Sequence, residues 1–408
     1  MSYKDNTEIN LFREYLRIPS VHPNVNYEPC VTFLRRLANE LHLTFAVYHP
    51  AHPKKPVVAM SWVGSSPTLP SILLNSHMDV VPVFSEYWTH KPFDAEMDDD
   101  GKIFARGAQD MKCVGMQYLS AIKRLKDRRI VLRRTVHVLF VPDEEIGGED
   151  GMKKFVTTDE FRSLNVGFSL DEGLASPTEE FPVYYAERSV WRIHFKCPGT
   201  PGHGSLLHKN TAGEKIRVII DRMMDFREQE VRKLDNNPDL TIGDVTTVNL
   251  TMISGGIQTN VVPPLLIVGF DVRLAITQSH DEFEALVNRW CEEAGGDIDI
   301  FYESKKPKVE PTKMDNENPF WVAFKHCICD ELNLKINPLI FPGRTDSCFI
   351  RGMGIPALGF SPMNNTPVLL HDHDEFISAD TYLKGIDIYE KLIPSVANCI
   401  GMDNTINP

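Results

Sequence analysis

The stretch Ser71-Ile-Leu-Leu-Asn-Ser-His77-Met-Asp79-Val-Val-Pro brings an imidazole and a carboxylate to the end of an apolar run. Such a run reads as a buried strand, and ionisable groups at its end are costly unless they are used. The pattern recurs. Residues 135–141 read as a strand that runs into Pro142-Asp-Glu144-Glu145, and 166–170 as one that runs into Asp171-Glu172. Asp110 stands before a helical pattern, and His371 lies in a polar loop near the C-terminus. His77, Asp79, Asp110, Glu144, Glu145, Glu172 and His371 offer nitrogen and oxygen donors and no thiolate, a set that suits zinc, with cobalt or manganese as alternatives. Two such ions about 3.5–4 Å apart need one bridging carboxylate and further ligands on each. Taken singly, His77 and Asp79 read as a solvated turn and Asp110 as a helix N-cap. Together they mark strand ends that converge, and the crevice beyond such ends is where open α/β sheets bind ligands.

The elements that must position these residues follow from periodicity. Helical spacing covers 8–17 and 31–43, strands are expected at 44–49, 57–63 and 71–75, and a Pro- and acid-rich loop spans 82–102. A helix follows Asp110. After Tyr184 the pattern changes to strand (189–197), long helix (212–235), two strands (245–253 and 265–273), helix (281–294) and short strand (297–302). This β-α-β-β-α-β order predicts a ferredoxin-like α+β domain. Alternating α/β signals resume near 305, with a helix around 320–332, strands at 335–341 and 355–360, and a closing helix at 379–393. The expected organisation is therefore an α/β domain with a central mixed sheet, in segments 1–186 and 305–408, interrupted by an inserted domain at 187–304.

A chain of 408 residues is long enough for two domains. With 43 basic against 56 acidic residues the net charge is −13, which argues against nucleic acid and anionic membrane surfaces as partners. The eight cysteines are scattered and form no Cys-x-x-Cys pair, as expected of thiols in a reducing, cytoplasmic compartment. The polar start carries no signal-peptide pattern and no apolar run approaches 20 residues.

The motifs resemble the zinc-dependent exopeptidase and aminoacylase family essentially end to end. The resemblance rests on the His77 stretch, Ala105-Arg-Gly-Ala-Gln-Asp110-Met-Lys-Cys, Val141-Pro-Asp-Glu144-Glu145-Ile-Gly-Gly and Leu170-Asp-Glu172-Gly. It continues through Pro201-Gly-His203-Gly-Ser, Gly255-Gly-Ile-Gln-Thr-Asn260-Val-Val-Pro and Leu358-Gly-Phe-Ser-Pro-Met-Asn-Asn-Thr-Pro-Val-Leu-Leu-His371-Asp-His. The last stretch and Glu144-Glu145-Ile-Gly-Gly point to the aminoacylase branch.

The resemblance implies a di-zinc exopeptidase-like catalytic domain, two zinc ions per subunit and hydrolysis of N-acyl-L-amino acids. A dipeptidase on the same site is the alternative, and a non-catalytic metal-binding scaffold a remote one. It implies that Asp110 bridges, that His77 and Glu172 complete one metal, and that Glu145 and His371 complete the other. His373 is the competing candidate for His371. Glu144 is implied as general base, and the Asp79 side chain as the hydrogen-bond partner that sets the His77 tautomer. The inserted domain is implied to be a lid through which a homodimer forms, with His203 reaching the partner's site. Asn260 and Arg273 are implied to bind the substrate carboxylate. By themselves, His203 is a histidine in a Gly-rich turn and Arg273 a strand-end surface arginine. Arg344, where the family pattern has a small residue before Thr-Asp, is expected to affect substrate preference. The resemblance also implies a cis Asp110–Met111 bond. The remaining histidines, His22 among them, are expected at the surface or in packing roles.

Overall fold

The computed structural model describes residues 3–401; the expected segment ends at 1–2 and 402–408 lie outside the described residues. The chain forms two compact units. One runs to Tyr185 and resumes over Pro311–Leu339 and from Arg344; the other is Ala186–Glu310 with Ile340–Gly343. No helix among the described residues is long and apolar enough to cross a membrane.

The first unit is α/β and is built on an eight-stranded mixed sheet. Its order is Thr44–Tyr48, Val57–Trp62, Val136–Val141, Ser71–His77, Val166–Asp171, Ala357–Gly359, Phe181–Glu187 and Ile336–Phe341. Ser71–His77 is central, parallel to Val136–Val141 on one side and to Val166–Asp171 on the other. Val57–Trp62 joins antiparallel, which makes the sheet mixed. Alternate side chains of each strand enter different cores, as a period of two requires. Ile72, Leu74, Val58, Met60, Val136, Val138 and Phe140 face one core, which also holds Phe12, Leu34, Val114, Tyr118, Ile386 and Tyr389 from helices. Leu73, Val57, Ala59, Leu139 and Val141 face another, with Met152, Phe155, Phe161 and Ile350. Helices thus cover both faces, and the three parallel strands are buried throughout. The register places His77 beside Val141 and Leu74 beside Leu170, so the polar residues that follow emerge at one edge.

The second unit holds a four-stranded antiparallel sheet in the order Thr247–Gly255, Leu265–Leu274, Ser189–Pro198, Asp299–Lys305. Trp191, Ile193, Phe195 and Cys197 alternate inward with Val268, Phe270 and Val272. They pack on Ile216 and Ile219 of the helix Ala212–Asp235 and on Phe283, Val287 and Trp290 of His280–Glu293. Thr211 and Glu214 form a capping box that starts the longer helix.

Several elements depart from the periodic reading. The expected loop 82–102 contains Glu96–Met97 and the start of Lys102–Phe104, which pair in a small sheet completed by Phe376–Ser378. Strands of two or three residues are too short to show a period. The helix expected over 320–332 is α-helical only at Pro319–Lys325 and widens into a π-helical turn, His326–Glu331. The short strand expected at 297–302 is Asp299–Lys305.

The helix Lys112–Asp127 lies against the strand that carries His77 at a glycine. A Cβ on Gly115 would stand 2.6 Å from Ser76 Oγ and 2.7 Å from Phe140 Cε1. Overpacking of this kind costs about 1–3 kcal/mol. Gly115→Val is expected to lower stability by that amount, read as a lower urea midpoint with an unchanged slope.

Candidate metal centre

His77 is the last residue of its strand and is fully buried. Its Nδ1 lies 2.8 Å from the Asp79 carbonyl oxygen, which can only accept, so Nδ1 carries a proton. Nε2 is thereby turned to Asp110 Oδ1 at 2.9 Å and Glu172 Oε2 at 3.5 Å. Here the expected contact is corrected. The Asp79 backbone, not its side chain, sets the His77 tautomer, and the nearer carboxylate oxygen is 3.9 Å from Nδ1. That carboxylate instead accepts the backbone N–H groups of Glu144 at 3.2 Å and Glu145 at 3.1 Å.

Asp110 does not cap a helix: Met111 holds the N-cap position and makes no side-chain cap bond. The Asp110–Met111 bond is cis. Asp110 Oδ2 lies 3.2 Å from His371 Nε2, which is 3.1 Å from Glu145 Oε2. Two groups result, His77–Asp110–Glu172 and Asp110–Glu145–His371, each with its donor atoms within 4.8 Å of one another. Asp110 is common to both. Glu145 Oε1 is buried with no hydrogen-bond partner among the described residues, which leaves an acceptor for a cation. The residues fit a two-metal site. His373 is outside both groups; its ring stacks on Tyr87 at 5.3 Å.

Crowded acids govern the electrostatics. Burial pushes the Glu144 and Glu172 carboxyls well above the usual range, and the negative charges of Glu172 and Asp110, respectively, add to it. Burial likewise raises Glu145 to about 7, helped by Asp110. Burial would raise Asp110 too, but hydrogen bonds from His371 and His77 outweigh it and hold that group below its usual range. Burial disfavours the His77 imidazolium, yet the charge of Glu172 and the bond to Asp110 hold its pKa well above normal. Hydrogen bonds to Asp110 and Glu145 raise His371 to about 10. Protons on the inward nitrogens would compete with a divalent cation held by these residues, so acid would oppose its binding.

Three supporting residues escaped the sequence reading. His22, expected at the surface or in packing, is buried with Nε2 2.8 Å from Asp79 Oδ2, and that bond raises its pKa. Glu375 is fully buried and accepts the backbone N–H groups of Gln109 at 2.6 Å and Asp110 at 3.3 Å while pairing with Arg106 at 2.8 Å. Asn75 donates to Asp171 at 3.0 Å and Asp346 at 3.3 Å. Only Glu375, in the acid-rich run after His371, carried a signal. A cleft of about 1350 Å³ lined by His22, Tyr27, Lys55 and Ile146 contains none of the metal-facing side chains.

Arg344 donates from Nε to Cys348 Sγ at 2.9 Å and lies over the Phe349 ring. His203, Asn260 and Arg273 belong to the second unit. His203 is exposed, with Nδ1 2.7 Å from Ser205 Oγ. It pairs opposite Val261 in a two-stranded ribbon, and Asn260 accepts the Gly204 N–H at 2.8 Å, so both stand at one ribbon tip. Arg273 pairs with Asp271 at 2.7 Å.

Residues 73–395, a stretch that holds all of these metal-facing groups, match the family described as Peptidase family M20/M25/M40, and the chain belongs to it. Among its relatives is aminoacylase-1 of Homo sapiens, 46% identical over 397 residues, covering 97% of this chain and 96% of that protein. Aminoacylase-1A of Rattus norvegicus is 48% identical over 396 residues with the same coverage. Among solved structures, the YXEP protein of Bacillus subtilis, described as a dinuclear metal-binding M20 peptidase, is similar with a TM-score of 0.67 at 18% identity. The likeness covers 96% of this chain and 98% of that one.

Because Asp110 is common to both groups, Asp110→Ala is expected to lower divalent-metal content at both positions. Elemental analysis of the purified protein checks this. Loss confined to one position would remove Asp110 as the shared ligand.

Proposed function

We propose that the protein hydrolyses N-acyl-L-amino acids to a carboxylate and a free L-amino acid at a two-zinc site. The observation that carries the reading is the Asp110 carboxylate between two separate His–carboxylate groups. The substrate class is taken from the aminoacylase-1 relatives, which align over nearly the whole length. His77 and Glu172 would hold one ion and Glu145 and His371 the other, with Asp110 shared. Bound there, the pair supplies positive charge that brings a water's pKa towards neutrality and polarises the acyl carbonyl.

Glu144 is the general base. Its carboxyl is buried near Glu172 and His77, and its backbone is fixed by Asp79. It takes a proton from the attacking water and passes it to the leaving nitrogen. Burial raises its pKa, and a cation nearby opposes that rise, which brings the group towards the working range of a base.

The segment 187–304 is read as a lid and dimerisation domain inserted between catalytic segments 1–186 and 305–408. Its edge strand Thr247–Gly255 exposes Met252 and Ile253, and Ile257 follows, an apolar edge of the kind that pairs with another chain. In a homodimer His203 would serve the partner's centre by stabilising the oxyanion. Asn260 and Arg273 would bind the substrate carboxylate, Arg273 through its guanidinium fork. Arg344 would tune substrate preference. All eight cysteines are thiols, in keeping with a cytoplasmic setting.

Turnover of N-acetyl-methionine is expected to exceed that of unmodified dipeptides; the reverse order assigns the protein as a dipeptidase. Glu144→Gln is expected to lower kcat by about 10²–10⁴-fold with metal retained. Mixing inactive His203→Ala and Glu144→Ala dimers should restore activity after subunit exchange. If exchange is demonstrated without recovery, His203 does not act across subunits.

A further inference from the structure

We propose that His22 is a positioning residue of the metal centre, holding the Asp79 carboxylate in the orientation that fixes the Glu144–Glu145 backbone. The proposal rests on the hydrolase reading and deepens it.

The Asp79 carboxylate is fully buried and receives three donors: the N–H of Glu144, the N–H of Glu145 and His22 Nε2. His22 is the one side chain among them. A buried carboxylate is rotationally fixed only when its lone pairs are taken by donors in fixed places. With the imidazole removed, the carboxylate can swing towards His77 Nδ1, 3.9 Å from Oδ1. There it would compete with the Asp79 carbonyl, which sits 2.8 Å from Nδ1 and sets the His77 tautomer. One change would therefore disturb both the turn that carries Glu144 and Glu145 and the ring orientation of His77.

The donor is itself held in place. His22 N–H donates to the Val80 carbonyl at 3.1 Å, and Val80 N–H returns to Ser20 at 2.9 Å. Ser20 Oγ donates to the Met78 carbonyl at 2.5 Å. Residues 20–22 are thus laced to residues 78–80, directly after the His77 strand. The other side of the turn is anchored nearby. Asp143 has a left-handed backbone at φ 63°, its carboxylate accepts Tyr27 Oη–H at 2.6 Å, and it pairs with Lys55. His22 Nε2 lies 4.0 Å from that carboxylate. Lys55 and Tyr27 already satisfy Asp143, so the His22–Asp79–Asp143 group acts as a hydrogen-bonded clamp rather than a third cation site.

The test compares full-length His22→Ala, His22→Phe and His22→Gln with the unaltered chain. Zinc affinity is measured by competition with a chromophoric chelator, kcat and KM are measured on N-acetyl-methionine, and thermal unfolding is followed in parallel. Removing a group that orients metal ligands costs about 10–100-fold in affinity or activity. The Ala and Phe variants are expected to lose that factor in zinc affinity and in kcat, with KM within about twofold. Glutamine, whose amide N–H can reach the same oxygen, is expected to restore both to within about threefold. Equal behaviour of Gln and Ala, unchanged zinc affinity, or losses that merely follow a lowered unfolding temperature overturn the proposal. The chelator arm uses zinc alone. Absent turnover in the unaltered chain therefore overturns the substrate reading, while the chelator result still decides the role of His22.

Discussion

Mutual repulsion among buried acids is the constraint on which the rest of this structure depends. Asp110, Glu144, Glu145 and Glu172 are brought together where three parallel strands end, with His77 among them and His371 at the rim. Burial and mutual repulsion push the glutamate carboxyls up, and the neighbouring acids push both imidazoles up. Holding such groups in place requires a rigid support, and the sheet supplies it. The His77 strand is buried along its whole length and flanked on both sides by parallel neighbours. Backbone N–H donors then secure the carboxylates outside the two donor groups: Asp79 takes those of Glu144 and Glu145, and Glu375 those of Gln109 and Asp110.

The sequence made the three parallel strands legible because each is a mostly apolar run that leads within a residue or two to an ionisable group. Their convergence followed from the α/β grammar, and His77, Asp110, Glu144, Glu145, Glu172 and His371 were all visible as a set of oxygen and nitrogen donors. The β-α-β-β-α-β order of the second unit was legible for the same reason, since its strands and helices are long enough to show their periods. What lay beyond reach were contacts between residues distant in sequence. His22 is an isolated histidine in a proline-containing loop, and nothing local shows that it meets Asp79, 57 positions away. The division of Asp79, carbonyl to His77 and carboxylate to the next turn, is a matter of rotamer that no pattern records. The small sheet around Lys102–Phe104 was hidden by the shortness of its strands.

The two units also divide their chemistry differently. In the first, exposed pairs such as Lys123 with Asp127 accompany buried ones such as Arg106 with Glu375. In the second, the outward face of the sheet carries exposed pairs such as Arg192 with Glu303, and the ribbon bearing His203 and Asn260 is open to solvent. Exposed pairs of that kind contribute little to stability. The second unit is held by the aromatic and aliphatic packing of Trp191, Phe195, Phe283 and Trp290.

The interruption of the first unit in sequence has a consequence for synthesis. Glu172 precedes the interruption and His371 follows it, and the helix Lys112–Asp127 packs on Ala379–Asn398. While the chain is being made, strands rich in valine, leucine and isoleucine emerge long before the helix that covers them. The residues from Ala186 to Glu310 are made in between and contain a complete sheet with its own helices. That middle segment can become ordered on the ribosome before His371 and the helix Ala379–Asn398 are made, so the acids of the first segment wait for their last partner. The first segment therefore waits through synthesis of the middle segment as well as of the last hundred or so residues.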